Sequence, residues 1–282
     1  MRLQILVLLL LVPVASCTDA SYPMPEAGPQ EKVAPSLPDL GEAASPLTDR
    51  DKKFDVAQAC KEATDELANH EDQVRHVIAL LRFHWPSNPE SAEINILLAQ
   101  AHARVLEGLE LKNKADREPH RRHREAGKFH VEAALRAKPG SADAHYWHGA
   151  ILLHTAEAES SYGRMKEGLT EMEAAAKLDP RVDSGGPDRM IGRIYQEAPG
   201  WPIGLGSRSK AIGFYKKSLE IAPESRLTHL WIAETYSADG QTDNARTEAA
   251  KAAEGKPRPG HEKEDKENIQ KAQELLKKLD AK

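Results

Sequence analysis

From residue 51 onward, apolar residues recur at helical spacing. Val74, Val77, Ile78 and Leu81 fall on one face of a helix; Ile94, Leu97, Leu98, Ala101 and Val105 fall on one face of another. These are i, i+3, i+4, i+7 patterns, and no segment alternates β-branched with polar residues as a strand would. Gly, Pro and Asn breaks interrupt the pattern about every 12 to 25 residues, which predicts antiparallel helix pairs.

The breaks are themselves periodic. Ala137-Lys138-Pro139, Leu178-Asp179-Pro180 and Ile221-Ala222-Pro223 each end a helix with a small or apolar stripe, and Asn88-Pro89 is a looser copy. Pro223 and Pro257 stand 34 residues apart, the tetratricopeptide repeat length. Between them Ile232, Ala233 and Tyr236 fill the large, small and aromatic slots of the first helix. Ala245 and Ala252 supply the small residues by which the second helix approaches the first. Gly192 with Tyr195, and Gly149 with Leu152, repeat the motif upstream. The predicted fold is an all-α solenoid or bundle of about five divergent tetratricopeptide-like helix pairs. A helix from about residue 261, with the stripe Ile269, Ala272, Leu275, Leu276 and Leu279, caps it. Spacings of 41 and 43 residues (Pro139 to Pro180, Pro180 to Pro223) predict inserts between the helices of a pair, near 159–163 and at 198–206.

The first 50 residues carry a different pattern. Residues 1–16 form a short apolar run behind Arg2, too short to span a bilayer and suited to a secretory signal peptide. Val14-Ala15-Ser16-Cys17 resembles a bacterial lipobox, which makes Cys17 the expected lipidation site and membrane anchor. Thr18, rather than an aspartate, follows the cysteine and points to the outer membrane. Residues 17–50 contain six prolines with scattered Gly and Ser, a composition expected to form a flexible tether. The repeat domain then occupies 51–282.

Composition narrows the function. The 282 residues are 40% hydrophobic and 29% charged, with net charge −5, so no basic surplus exists for nucleic acid. Two cysteines provide neither a disulfide framework nor a four-cysteine zinc site.

The block 185–195 (GGPDRMIGRIY), then Ala198-Pro199-Gly200-Trp201-Pro202, Lys210-Ala211 and Leu219-Glu220-Ile221-Ala222-Pro223 resembles the T component associated with tripartite ATP-independent periplasmic (TRAP) transporters, the TatT family. The match is best over about 144–254. The resemblance implies a periplasmic tetratricopeptide-repeat lipoprotein that docks a substrate-binding protein, as a symmetric oligomer with a ligand channel. It assigns no individual functional residue.

The side chains themselves point to binding rather than catalysis. No nucleophile elbow, phosphate loop or metalloprotease motif occurs, so neither a catalytic residue nor a cofactor is expected. Tyr146, Trp147, Tyr195, Trp201 and Trp231 are the candidate anchors for a partner or ligand, since aromatics dominate such contacts. Trp201, held between Pro199 and Pro202, reads as a hydrophobic plug or as the aromatic wall of a pocket. His120, His123 and His130 lie among arginines, which disfavours a metal, and are expected on solvated or core-edge positions; His145 and His148, one turn apart, are only two ligands. Cys60 is expected to be a buried small hydrophobe. The function that follows is a non-enzymatic scaffold for the substrate-binding protein of a transporter. The alternatives are a general envelope-assembly scaffold and a carrier of a small apolar or organic-acid ligand.

Overall fold

Helix starts are set by side-chain caps. Asp55, Ser91, Ser141, Ser161, Ser207 and Ser225 each accept a hydrogen bond from the backbone N–H three residues on, satisfying one of the donors that a helix leaves open. In the computed structural model, which describes residues 36–41, 45–70, 72–200 and 202–281, these caps open six of the eleven α-helices among the described residues. They are α1 (Val56–Asn69), α2 (Val74–His84), α3 (Ala92–Glu107), α4 (Lys114–Ala137), α5 (Ala142–Glu159), α6 (Tyr162–Leu178), α7 (Gly186–Glu197), α8 (Arg208–Ile221), α9 (Arg226–Ala238), α10 (Thr242–Ala253) and α11 (Glu262–Asp280).

Each odd helix packs on the next even one, and each pair stacks on its neighbour. The predicted small slots allow this approach. A Cβ on Gly192 would lie 2.6 Å from the ring of buried Tyr215, and one on Gly149 would lie 2.9 Å from Met172. Ala233, Ala245 and Ala252 are fully buried. Three apolar clusters run along the stack: one over α1–α3, one from α3 to α7, and one joining α8, α9, α10 and α11.

The additional residues of the long repeats are placed differently from expectation at one site. Near 159–163 there is no insert: α5 and α6 are joined by Ser160 and Ser161 alone, with Ser160 left-handed at φ 50°. The helices are longer instead, 18 and 17 residues. The second site is a true loop between α7 and α8, closed by a Gly200–Gly206 bridge. The segment expected to be a tether also differs where it is described. Leu37 and Leu40 pack on the first cluster, Leu47 packs beside Phe54, and Asp39 pairs with Arg122 at 3.2 Å. These leucines bury apolar area that a solvated linker would leave in water.

One interaction recurs where a repeat hands over to the next. The carbonyls of Pro89, Pro139 and Pro223 each accept a hydrogen bond from the side chain six residues on: Asn95 (2.8 Å), His145 (2.9 Å) and His229 (2.8 Å). The same imidazoles turn their other nitrogen to a carboxylate on the following helix, Glu171 and Glu248, at 2.6 Å. Asn95 accepts instead, from the Trp85 indole at 3.1 Å.

The two ends of the stack meet. His261 Nε2 donates to the carbonyl of Ala68 at 2.9 Å, and any side chain at Gly260 would run into the carbonyl of Asn69. The start of α11 therefore sits against the end of α1.

Replacing Asn95 with Ala leaves the buried Trp85 indole and the Pro89 carbonyl without this partner. The expected cost is about 2–4 kcal/mol, read as a lowered urea midpoint at unchanged slope.

Candidate binding face

Asp183, in the loop between α6 and α7, accepts hydrogen bonds from three directions. Arg104 of α3 reaches Oδ1 at 3.0 Å; the Tyr146 hydroxyl of α5 and Arg189 of α7 each donate to Oδ2 at 2.7 Å. Arg189 also donates to the backbone carbonyls of Asp183 and Ser184. The loop is bent to present this carboxylate: Asp183, Ser184 and Gly185 are all left-handed, at φ 48°, 54° and 78°. Such a conformation costs a non-glycine residue about 1–3 kcal/mol, and the arginines offset it.

Burial by itself would raise the Asp183 carboxyl, but Arg104, Arg189 and the Tyr146 hydroxyl outweigh it and hold it below the usual carboxylate range. Burial, with Asp183 opposite, pushes the Tyr146 hydroxyl well above its ordinary value. The site is thus a neutral phenol and two guanidiniums about one carboxylate. Glu107 and, from the far end of the chain, Glu264 add negative charge that acts on Arg104, and Glu264 acts on Arg189 as well.

The predicted anchors separate into three places. Tyr146 and Trp147 lie edge to face at 4.7 Å, both buried. Tyr195 stacks on Phe214 at 5.6 Å, with Lys210 over its outer ring face. Trp231 is buried beside Tyr215. Trp201 and Cys17 lie outside the described residues. The inner tryptophans share an arrangement: each is roofed by an arginine from the preceding first helix, Arg104 over Trp147 at 5.6 Å and Arg193 over Trp231 at 4.9 Å. In both pairs the ring supports a guanidinium by a cation–π contact.

Near Arg193 a groove of about 450 Å³ opens between α7, α9 and α11. Glu197, Glu234, Lys271, Glu274 and Lys278 line it around Leu275. Arg193 is anchored there by Glu197 at 2.9 Å and Glu234 at 3.1 Å. The mixed charge suits a polar protein segment better than an apolar small molecule.

The histidines expected on solvated or core-edge positions are not there. His120, His123 and His130 are buried, together with His102 and His154. His145 and His148 both face Glu171. Among the described residues, no three His, Cys, Asp or Glu side chains are placed to hold a metal ion. Cys60 is buried, and burial pushes its thiol up to about 11. No helix of the described residues is long and apolar enough to cross a membrane.

The Asp183 cluster was not visible in the sequence, because its members come from three repeats. The proline-carbonyl bonds had a signal: a polar side chain six residues after Pro89, Pro139 and Pro223.

No family model matches the chain, and no curated protein matches it. Solved structures do resemble it. A thermophilic TPR protein of Thermus thermophilus, TTC0263, superposes with a TM-score of 0.56 at 16% identity, covering 78% of this chain and 98% of its own. The pilF protein of Pseudomonas aeruginosa superposes at 0.51 with 15% identity, covering 82% and 92%. At such identities the likeness is one of fold: the chain has the tetratricopeptide-repeat architecture.

Truncating Asp183 to Ala leaves Arg104, Arg189 and the Tyr146 hydroxyl without their shared acceptor. The expected loss is about 3–5 kcal/mol. The wild-type carboxylate contributes fully above its unfolded value of 3.8 and its contribution fades as pH falls through the lower folded value. The D183A deficit in urea unfolding should therefore be large at pH 7 and shrink towards pH 3.

Proposed function

We propose that this protein is a non-enzymatic scaffold that holds a protein partner on its inner face, and that the partner is the substrate-binding protein of a TRAP-type transporter. The tetratricopeptide architecture supports the scaffold: stacked helix pairs present an extended concave surface, which such folds use for protein contacts. The transporter partner rests on the resemblance of 185–195 and 198–202 to the TatT family.

One observation carries the two together. The resembling block supplies residues to the Asp183 cluster and to the groove beside α11. Arg189 clamps Asp183, Gly186 leaves room for the Tyr146 hydroxyl, and Arg193 roofs Trp231 beside the groove. These residues are buried, so in this reading they hold the groove in shape and its exposed rim meets the partner. Acidic groups of that partner would find the exposed Lys271 and Lys278, and basic ones Glu274, while Arg193, Glu197 and Glu234 are spent on one another. In this reading Cys17 carries the lipid, and the domain works in the periplasm, at the outer membrane rather than the inner.

A tagged full-length protein, purified from its own envelope fraction, should enrich one periplasmic solute-binding protein by mass spectrometry. Many envelope proteins in comparable amounts would favour an assembly scaffold instead. An empty capture with a small organic acid retained through dialysis would favour a carrier. Reversing Lys271 and Lys278 to Glu should weaken the captured partner about tenfold, ~1.4 kcal/mol, with the urea midpoint unchanged because both lysines are exposed.

A further inference from the structure

α4 is an unusual helix for a buried position. Its fully buried apolar residues are Ala126, Val131, Ala133 and Ala134, with Phe129 and Leu135 half-buried on the flanking clusters, so its fully buried apolar area is small. Between α3 and α5 it relies on imidazoles. His123 of α4 and His102 of α3 face each other Nδ1 to Nδ1 at 2.8 Å. The His130 ring lies parallel to that of His102 at 5.8 Å. His120 meets His154 of α5 edge to face at 5.9 Å. All five are at most 4% exposed.

This packing holds only while the rings are neutral. The His102–His123 bond needs one nitrogen with a proton and one without; a proton on both turns two N–H groups against each other. For His130 the tautomer is fixed. Asn95 spends its amide N–H groups on the Pro89 and Ser91 carbonyls, so its Oδ1 must accept from His130 Nδ1 at 2.8 Å. That leaves His130 Nε2 as a bare, buried lone pair with no hydrogen-bond partner, and His102 Nε2 is likewise unpartnered.

The charged groups facing this seam are cations. Arg82 of α2 acts on His102 and His130, and Arg124 of α4 acts on His120 and His154. Among the described residues, no carboxylate acts on any of these four. The acids nearby are spent at the rim: Glu159 of α5 on Arg124, Glu118 and Glu125 on Arg121, and Asp39 on Arg122. Burial first, then the neighbouring imidazoles and arginines, hold His120 at about 4, His130 and His154 at about 3, and His102 well below its ordinary value. The later repeats are built the other way: His145, His148 and His229 face Glu171 and Glu248, so a proton there meets a carboxylate.

We propose that the α3–α4–α5 seam is a proton-operated release, in which mild acid charges the imidazoles and frees α4 while the repeats from α5 onward stay folded. The sign follows from linkage. The released state binds protons near the ordinary value of 6.5 and the packed state does not. The packed state is therefore fully favoured above about pH 6.5 and loses ground as pH falls below it.

Hydrogen exchange of the full chain tests this at pH 7.5 and 5.5, corrected for intrinsic rates. Each of the four histidines contributes about tenfold, so opening of α4 should rise by up to roughly 10⁴-fold, while α10 amides change little. The double variant His120→Leu, His154→Leu should cut the rise to roughly 10²-fold. H154Q alone should cut it about tenfold and serves if the double variant does not fold. Unchanged α4 protection at pH 5.5, equal loss in α4 and α10, or a full response in the variants would each overturn the proposal.

Discussion

A solenoid stands or falls on the angle at which one repeat meets the next, and here that angle is set by a captured carbonyl. A proline ends each pair because it cannot continue the helix, and its carbonyl is left pointing at the start of the next helix. Asn95, His145 and His229 take it up from the same position in three hand-overs. The bond is local in sequence, so it forms with the turn. Two of the three then extend to a glutamate on the second helix, so one side chain ties together the preceding proline, the first helix and the second. Small residues at the helix crossings let the layers come close; the capped carbonyl decides how they are turned.

The hand-over after Pro180 has no such side chain, since Gly186 stands six residues on. Its place is taken by a charged knot. Three successive left-handed residues swing Asp183 inward to Arg104, Arg189 and Tyr146. The exception to the local rule thus recruits residues from three repeats, Arg104 and Arg189 among them. Regular hand-overs shape the scaffold, and the irregular one shapes the surface it presents.

How much of this could be read from the chain depends on the range of the interaction. Helix pairs, their ends at Ala137, Leu178 and Ile221, and the small slots at Gly149 and Gly192 are local patterns and were legible. Added length near Ser160 was legible as a spacing but not as longer helices, because a left-handed serine makes a two-residue turn without a glycine or proline to announce it. The aromatics at Tyr146, Trp147 and Trp231 were visible as large residues; that arginines would roof the two tryptophans was not, since Arg104 and Arg193 stand a whole repeat away in sequence. Burial of His120, His123 and His130 was hidden by their arginine neighbours: Arg121 and Arg122 pair with acids along the rim of the same helix, while Arg124 lies against the buried rings.

The meeting of Gly260 and His261 with the end of α1 has a consequence for how such a protein can change. Open arrays grow or shrink by gene duplication, because a new unit merely lengthens a stack. Here a unit added or lost would carry the last helix past the first, and the carbonyl of Ala68 would no longer find its imidazole. The contact between α1 and α11 therefore ties the last helix to the present number of pairs, and a chain with one more or one fewer would have to do without it.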